Sequence, residues 1–265
     1  MTATTFNLDA AEIANTTGCP PANVARFWPD IQTACIENGL TDRASIIAVL
    51  ATIATEVGSF EPINEFGDSA YFTKHYEGRK DLGNTHPGDG VRFHGRGFIQ
   101  VTGRANYRGY GEKLGVPLEN DPDLALDPNV ATRILGCYFK DHGIADVARR
   151  GDWVGVRKKV NGGTNGLDRF KVYVAKLEQA TKAKGDALAL GYIGPGVIEL
   201  KALLNAWGKT HPLPKPIKPG PYFGPATESA VIAFQKANGI QPTGRVGAKT
   251  RAALDAAVHK KPVHH

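Results

Sequence analysis

Apolar residues recur at helical spacing through the first 60 residues of the chain. One apolar face is formed by Ile46, Leu50, Ile53 and Val57. This spacing predicts an amphipathic helix that Thr41 and Asp42 can cap and that Gly58 can end. A second helix is predicted from about residue 22 to residue 37, and Gly39 can end it.

The pattern changes after this helical region. Residues 58–103 are irregular and rich in glycine, and the short apolar stretch at 98–101 predicts a strand. Helical spacing returns at 128–140 and at 168–183. The sequence therefore predicts a mainly α domain over residues 1–184, whose looped middle carries function.

A different organisation follows residue 184. Residues 185–195 predict a linker, and residues 196–258 predict a separate small domain. Within it, Phe223, Gly224 and Thr227 have counterparts 23 residues later along the chain. Each copy predicts a glycine turn, a threonine cap and an amphipathic helix, so with a helix at about 197–207 the domain has three helices.

The charge is unevenly distributed between these regions. Residues 1–184 contain 22 basic and 22 acidic residues, whereas residues 185–265 contain 10 basic and 4 acidic residues. The net charge of +6 therefore lies in the last third, which indicates a polyanionic partner or a solubilising surface. The candidate polyanions are the bacterial cell wall, the lipopolysaccharide of an anionic outer-membrane surface and nucleic acid. The neutral first domain argues against a nucleic-acid partner.

No metal ion or cofactor is expected. The three cysteines lack CxxC spacing and the eight histidines lack HExxH spacing, which argues against structural zinc and zinc-peptidase chemistry. The first residues lack the basic and apolar regions of a secretory signal. We therefore expect synthesis in the cytoplasm. We also expect a monomer.

One glutamate lies at the edge of the first apolar helix face. On a helical wheel, Glu56 falls about 20° from Val49, at the C-terminal end of the helix. Apolar neighbours and the negative end of the helix dipole both disfavour an ionised carboxylate, which suits a general acid. The same position also suits an ordinary boundary glutamate.

A polar, glycine-rich segment with the sequence GRGFIQVTGRANY occupies residues 95–107. Its glycines allow a ligand to approach the backbone. Alternation along the predicted strand places Gln100 and Thr102 on one face, where both can bind sugar hydroxyls or hold a water. The alternative is a structural glycine turn.

Four motifs in this order resemble glycoside hydrolase family 19. They are ATEVGSF at 54–60, YEGR at 76–79, GRGFIQVTGRANY at 95–107 and VNGGTNGLDRF at 160–170. The resemblance covers residues 44–177 and is closer to the phage endolysin branch than to plant chitinases. Residues 196–254 resemble the peptidoglycan-binding domain of cell-wall hydrolases. Together they imply a lysozyme-like, two-lobed α-helical catalytic domain and a three-helix wall-binding domain.

The resemblance implies roles for single residues. Glu56 matches the general acid, and Glu77 matches the base that activates water. Thr102 stands where chitinases have a serine that helps to hold this water. Substrate-binding positions are matched by Gln100, Asn106, Tyr107, Asn161 and Arg169. Thr55 stands where chitinases usually have a histidine, and this departure weakens the case for chitin specificity.

Glu65 is the alternative candidate for the base. Some endolysins of this type have their second acidic residue about nine positions after the first, where Glu65 lies. Glu77 instead has Arg79 as a sequence neighbour, and this cation would keep a base ionised. We therefore expect Glu77 to be the base and retain Glu65 as the alternative.

The implied activity is that of an endolysin with N-acetylmuramidase activity, which hydrolyses the β-1,4 glycan backbone of bacterial peptidoglycan. Inverting catalysis needs two carboxyl groups about 6.5–9.5 Å apart. Such an enzyme would stay in the host bacterial cytoplasm until lysis, and the last domain would concentrate it on the wall. The alternatives are a chitinase and a non-catalytic wall-binding protein.

Overall fold

The computed structural model describes residues 6–183 and 187–259, and within these ranges the chain is mainly α-helical. The helices are α1 (Ala10–Thr17), α2 (Pro21–Glu37), α3 (Arg43–Glu56), α4 (Ser69–Tyr76), α5 (Asp89–Arg92), α6 (Arg104–Leu114), α7 (Pro128–Asp141), α8 (Ile144–Arg149), α9 (Trp153–Asn161), α10 (Leu167–Ala183), α11 (Pro195–Trp207), α12 (Pro225–Ala237) and α13 (Ala248–His259). Strands β1 (Ile63–Asn64) and β2 (Arg96–Gly97) form an antiparallel pair in which Ile63 lies opposite Gly97. The predicted mainly α fold class is confirmed.

The chain divides into two compact units. The described parts of 1–9, 41–46 and 178–265 form one unit, and residues 10–40 and 47–177 form the other. The predicted linker at 185–195 falls partly on residues 184–186, which lie outside the described residues. No helix within the described ranges is long and apolar enough to cross a membrane.

In the unit of residues 10–40 and 47–177, helices α2 and α7 pack closely. Gly136 makes this approach possible, because a Cβ atom there would lie 2.8 Å from the carbonyl oxygen of Ala34 on α2. The rings of Phe27 and Phe98 meet edge to face, with their centroids 5.9 Å apart. The loop residue Phe98 thus belongs to the same core as helix α2.

Helix α3 is the most deeply buried helix segment. Every side chain from residue 45 to residue 55 is buried, so the helix is enclosed on all sides rather than amphipathic as predicted. The predicted Asp42 cap is confirmed, because Asp42 Oδ1 accepts a hydrogen bond of 3.0 Å from the Ser45 amide. Glu56 is the last residue of α3, where the chain leaves the core.

The predicted strand at 98–101 is wrong. The backbones of Arg96 and Val101 pair with N–O distances of 2.9 and 3.2 Å, which closes residues 97–100 into a tight turn. Gln100 adopts a φ of 55° in this turn. The apolar run reflects burial of the turn, not an extended chain.

The other unit contains a small three-helix domain formed by α11, α12 and α13, as predicted. Its apolar core includes Leu200, Leu204, Phe223, Phe234 and Leu254. Gln235 joins the two sequence repeats, because its side-chain amide donates to Arg245 O at 2.8 Å and to Thr250 Oγ1 at 3.1 Å. The helix of the first repeat is therefore bonded to the threonine of the second repeat. The predicted threonine cap is wrong for the first repeat, because Gly224 is the N-cap of α12 and Thr227 lies inside the helix.

Candidate active site

A groove of about 490 Å³ opens in the unit of residues 10–40 and 47–177. It is lined by Glu56, Ile63, Glu65, Phe66, Tyr71, Tyr76, Ile99, Gln100, Thr102, Val160 and Asn161. Five residues singled out from the sequence therefore come together here, and two of them are the carboxylates Glu56 and Glu65. The remaining candidates Glu77, Asn106, Tyr107 and Arg169 are not in this lining.

Glu56 enters the groove from the end of α3, with 19% of its side chain exposed. Arg157 of α9 forms an ion pair with Glu56 Oε1, and the arginine side chain is 4% exposed. Arg157 also donates from Nε to the carbonyl oxygen of Asn165, at 2.6 Å. Asn161 donates from Nδ2 to the same oxygen at 2.9 Å, so the VNGG loop fixes the cation that faces Glu56.

Glu65 follows β1 and is held by two donors. The phenol of Tyr76 donates to Glu65 Oε1 at 2.6 Å, and the amide of Gly95 donates to Oε2 at 3.0 Å. A Cβ atom at Gly95 would lie 2.9 Å from Oε2, so this approach needs glycine. Burial, together with the bond to Glu65, raises the pKa of Tyr76, which keeps the phenol a proton donor.

The structure does not place Glu77, the predicted base, in the lining of the groove. Its two carboxylate oxygens accept hydrogen bonds from the amides of Gly88 at 2.7 Å and Gly90 at 2.8 Å. Gly88 is the N-cap of α5 and Gly90 is the second residue of this helix, so Glu77 stabilises a helix start. The expected cation beside it is also wrong, because Arg79 Nε donates to Asp81 at 2.8 Å. Glu65 is the second carboxylate that shares a groove with Glu56.

Gln100 and Thr102 line the groove, although they belong to a turn and its exit rather than to a strand. The amide nitrogen of Gln100 donates to Ile63 O at 3.1 Å and to Gly97 O at 3.0 Å, which ties the turn to β1 and β2. Thr102 Oγ1 donates to the backbone oxygen of Gln100 at 3.0 Å. The hydroxyl oxygen of Thr102 retains lone pairs that can accept a hydrogen bond from water.

Tyr107 is a core residue, which corrects its assignment to substrate binding. It is fully buried, and its hydroxyl donates to His94 O at 2.8 Å and accepts from Arg96 Nη1 at 3.0 Å. Burial raises the pKa of Tyr107 to about 12. The two bonds hold the residues on either side of Gly95, the backbone partner of Glu65, so Tyr107 supports the site without reaching a substrate.

The two remaining candidates lie beside the groove lining. Asn106 is exposed and donates from Nδ2 to the backbone oxygen of Thr102 at 2.7 Å. Arg169 donates from Nη2 to the backbone oxygen of Thr55, the residue before Glu56. Arg169 therefore fixes the end of α3 from a second direction.

Different known proteins resemble the two parts of the chain. Residues 193–254 match the family model described as "Putative peptidoglycan binding domain". A glycosyl hydrolase family 19 domain-containing protein of Haemophilus influenzae is 34% identical over 101 residues, which are 38% of this chain and 48% of the relative. An endochitinase of Arabidopsis thaliana is 29% identical over 151 residues, which are 55% of this chain and 50% of the relative.

The comparison with solved structures also finds a chitinase. The crystal structure of a chitinase C variant matches with a TM-score of 0.51 at 18% identity, and the match covers 68% of this chain and 77% of that one. The chain is therefore similar to a family 19 glycosyl hydrolase domain and has a fold similar to that of chitinase C, and its residues 193–254 are similar to a peptidoglycan-binding domain. The chain spans about half the length of the curated relatives that it matches.

Within the family 19-like domain, sequence reasoning missed the partners of the two carboxylates. Tyr76 lies in the YEGR motif, but the family resemblance implies a catalytic role only for its neighbour Glu77. Arg157 had one available signal, since an arginine four residues before Asn161 lies on the same helix face. That spacing predicts proximity to the VNGG loop but not to Glu56.

Proposed function

We propose that this chain is a glycosidase that hydrolyses the β-1,4 glycan backbone of bacterial peptidoglycan. The observation that carries the proposal is the single groove that holds Glu56 and Glu65 in a domain with the chitinase C fold. Most glycoside hydrolases use two carboxyl groups in one cleft to cleave the glycosidic bond. The attached peptidoglycan-binding domain favours a wall glycan as the substrate.

In the proposed reaction, Glu56 is the general acid. Glu56 takes up a proton from solvent before the reaction and gives it to the glycosidic oxygen as the bond between this oxygen and C1 breaks, which returns Glu56 to the carboxylate form. Arg157 then stabilises the charge that develops on Glu56. An interaction that strengthens along the reaction lowers the barrier, which gives the buried arginine a catalytic purpose.

Glu65 is the proposed general base. It accepts a proton from a water molecule while the water oxygen forms a bond to C1 on the face opposite the leaving group. This sequence inverts the anomeric centre and needs a gap between the carboxyl groups that holds one water. The hydrogen bonds from Tyr76 and Gly95 fix the Glu65 carboxylate for this role, and Thr102 lies in the same lining as a candidate partner for the water.

The finer part of the proposal is an endolysin with N-acetylmuramidase specificity. Digestion of purified peptidoglycan followed by mass spectrometry of the muropeptides tests it, because new reducing ends belong to muramic acid if the proposal holds. Reducing ends on glucosamine would overturn the muramidase assignment. Efficient cleavage of chitin oligomers without any release from peptidoglycan would identify a chitinase, and binding without cleavage of either glycan would identify a wall-binding protein.

A further inference from the structure

A second groove lies in the peptidoglycan-binding domain, between α11 and α13, and has a volume of about 660 Å³. Helix α11 contributes Glu199, Ala202, Leu203 and Ala206, and helix α13 contributes Arg251, Asp255 and Val258. On α13 the lining residues follow one another at intervals of four and three positions, and on α11 Glu199 lies three and four positions before the neighbours Ala202 and Leu203, with Ala206 one turn further on. Each set therefore lies on a single helix face, and the two faces form the walls of the groove.

The floor of this groove is aliphatic and has small side chains. Ala202 and Ala206 lie one turn apart on α11, with Leu203 and Val258 beside them. No aromatic ring lines the groove, since Trp207 is buried and stacks on His211 with a centroid distance of 4.5 Å. The active-site groove differs, because Phe66, Tyr71 and Tyr76 present rings there. The floor is thus suited to methyl-sized groups rather than to the broad face of a sugar ring.

The rim of the groove carries charges of both signs. Glu199, Arg251 and Asp255 form no ion pair with any residue of the described ranges. Arg251 and Asp255 lie four positions apart on one helix, a spacing at which opposite charges often pair, yet each stays available to a ligand. A ligand that carries both an amine and a carboxylate would complement this rim.

We propose that this groove binds the stem peptide of peptidoglycan. In this arrangement alanine methyl groups of the peptide lie on the floor at Ala202 and Ala206. A free amine of the peptide faces Glu199 or Asp255, and a peptide carboxylate pairs with Arg251. The inference rests on the proposed function for its choice of polymer. It adds that the two domains bind different parts of that polymer. The domain with Glu56 binds the glycan, and the three-helix domain binds the peptide.

Sedimentation with purified sacculi on ice tests this inference in the full chain carrying Glu56→Gln, so that digestion does not remove the target. One batch of sacculi is coupled through its glycan to beads and keeps its peptides, and a second coupled batch is stripped to bare glycan by a muramoyl-alanine amidase, so that the glycan still sediments after its peptide cross-links are lost. The parent should bind intact sacculi roughly tenfold more tightly than stripped sacculi. Equal affinity for both batches would overturn the peptide assignment.

Matched variants locate the site. Arg251→Glu and Ala202→Leu should each weaken binding to intact sacculi by roughly tenfold, the first by charge reversal and the second by filling the floor. Lys249→Glu makes the same charge change on the same helix, but Lys249 is exposed outside the groove, so its affinity should stay within about twofold of the parent. If Lys249→Glu loses as much as Arg251→Glu, net charge rather than the groove explains binding.

Thermal melting shows whether a variant that binds weakly has unfolded or has lost only the binding site. Ala202→Leu and Arg251→Glu should melt with the parent, and if Arg251→Glu unfolds, Ala202→Leu alone decides. Unchanged binding by folded Ala202→Leu and Arg251→Glu would overturn the proposal. Glycan cleavage is measured separately on the chain with intact Glu56, so a failure of this inference is distinguishable from a failure of the proposed function.

Discussion

Arg157 forms an ion pair with Glu56 across 101 residues of sequence. The arginine is almost completely buried, and its Nε hydrogen bond to Asn165 leaves its guanidinium little freedom. Gly166 packs beside it, where a Cβ atom would lie 3.3 Å from Nη2. The position of the candidate acid at the end of α3 is therefore set by α9 and the loop that follows it.

Replacing Arg157 by glutamine should reduce both activity and stability. It leaves Glu56 without its cation, so we expect kcat to fall roughly 10²-fold. The free energy of unfolding should fall by about 2 kcal/mol, because the buried side chain loses its charge-assisted hydrogen bond to Glu56. Steady-state kinetics and thermal melting measure the two effects, with the exposed Arg150→Gln as a control that should change neither. Wild-type kcat in Arg157→Gln would exclude Arg157 from the reaction.

Replacing Tyr76 by phenylalanine removes only the donor to Glu65 Oε1. The ring remains in the groove lining, so substrate affinity should be retained, while a less well fixed base should lower kcat roughly tenfold. The loss of one hydrogen bond should cost about 1 kcal/mol of stability. Kinetics on soluble glycan fragments separate kcat from KM. A rise in KM with constant kcat would show that Tyr76 binds substrate instead of holding Glu65.

Phe66 should bind substrate. Its side chain is 88% exposed directly after Glu65 and in the groove lining, so it contributes little to folding but presents a ring to a ligand. We expect Phe66→Ala to raise KM roughly three- to tenfold with little change in kcat or melting temperature. Val172→Ala is the matched control, since Val172 is 51% exposed on α10 outside the lining. Equal KM values for the two variants would rule out the binding role.

Asp89 should make stability depend on pH. A hydrogen-bonded ion pair with Arg104 lowers the pKa of this buried carboxyl to about 2. Because the folded pKa lies below the unfolded value of about 4, the stabilisation is complete above pH 4 and is lost as pH falls toward 2. Asp89→Asn should therefore melt below wild type at pH 6, and the difference should shrink as pH falls below 4. A difference independent of pH would contradict the ion-pair explanation.

The sequence predicted most helices because their signals are local. The helices near Pro21–Glu37, Pro128–Asp141 and Leu167–Ala183 agree with their predicted spans to within a residue or two. The stretch at 98–101 failed because apolar character reports burial, and a buried turn has the same composition as a buried strand.

The candidate site was only partly predictable, because its decisive contacts are not local. Glu65 and Glu77 both follow Glu56 within about 20 residues of sequence. Only the fold shows that the Glu77 carboxylate accepts hydrogen bonds from backbone amides at the start of α5. The motif containing Tyr107 matched a sugar-binding pattern, although its side chain faces the core. Motif order therefore predicted the groove, whereas the role of each residue depended on tertiary packing.

The central claim is that Glu56 and Glu65 form the catalytic pair. It is tested most directly by the rate of reducing-end release from purified peptidoglycan by Glu65→Gln and Glu77→Gln, which make the same change at the two competing positions. We predict that Glu65→Gln loses at least about 10²-fold in kcat with an unchanged melting temperature. Glu77→Gln should keep kcat and melt earlier, because it loses the charged cap of α5. An active Glu65→Gln beside a folded but inactive Glu77→Gln would contradict the account.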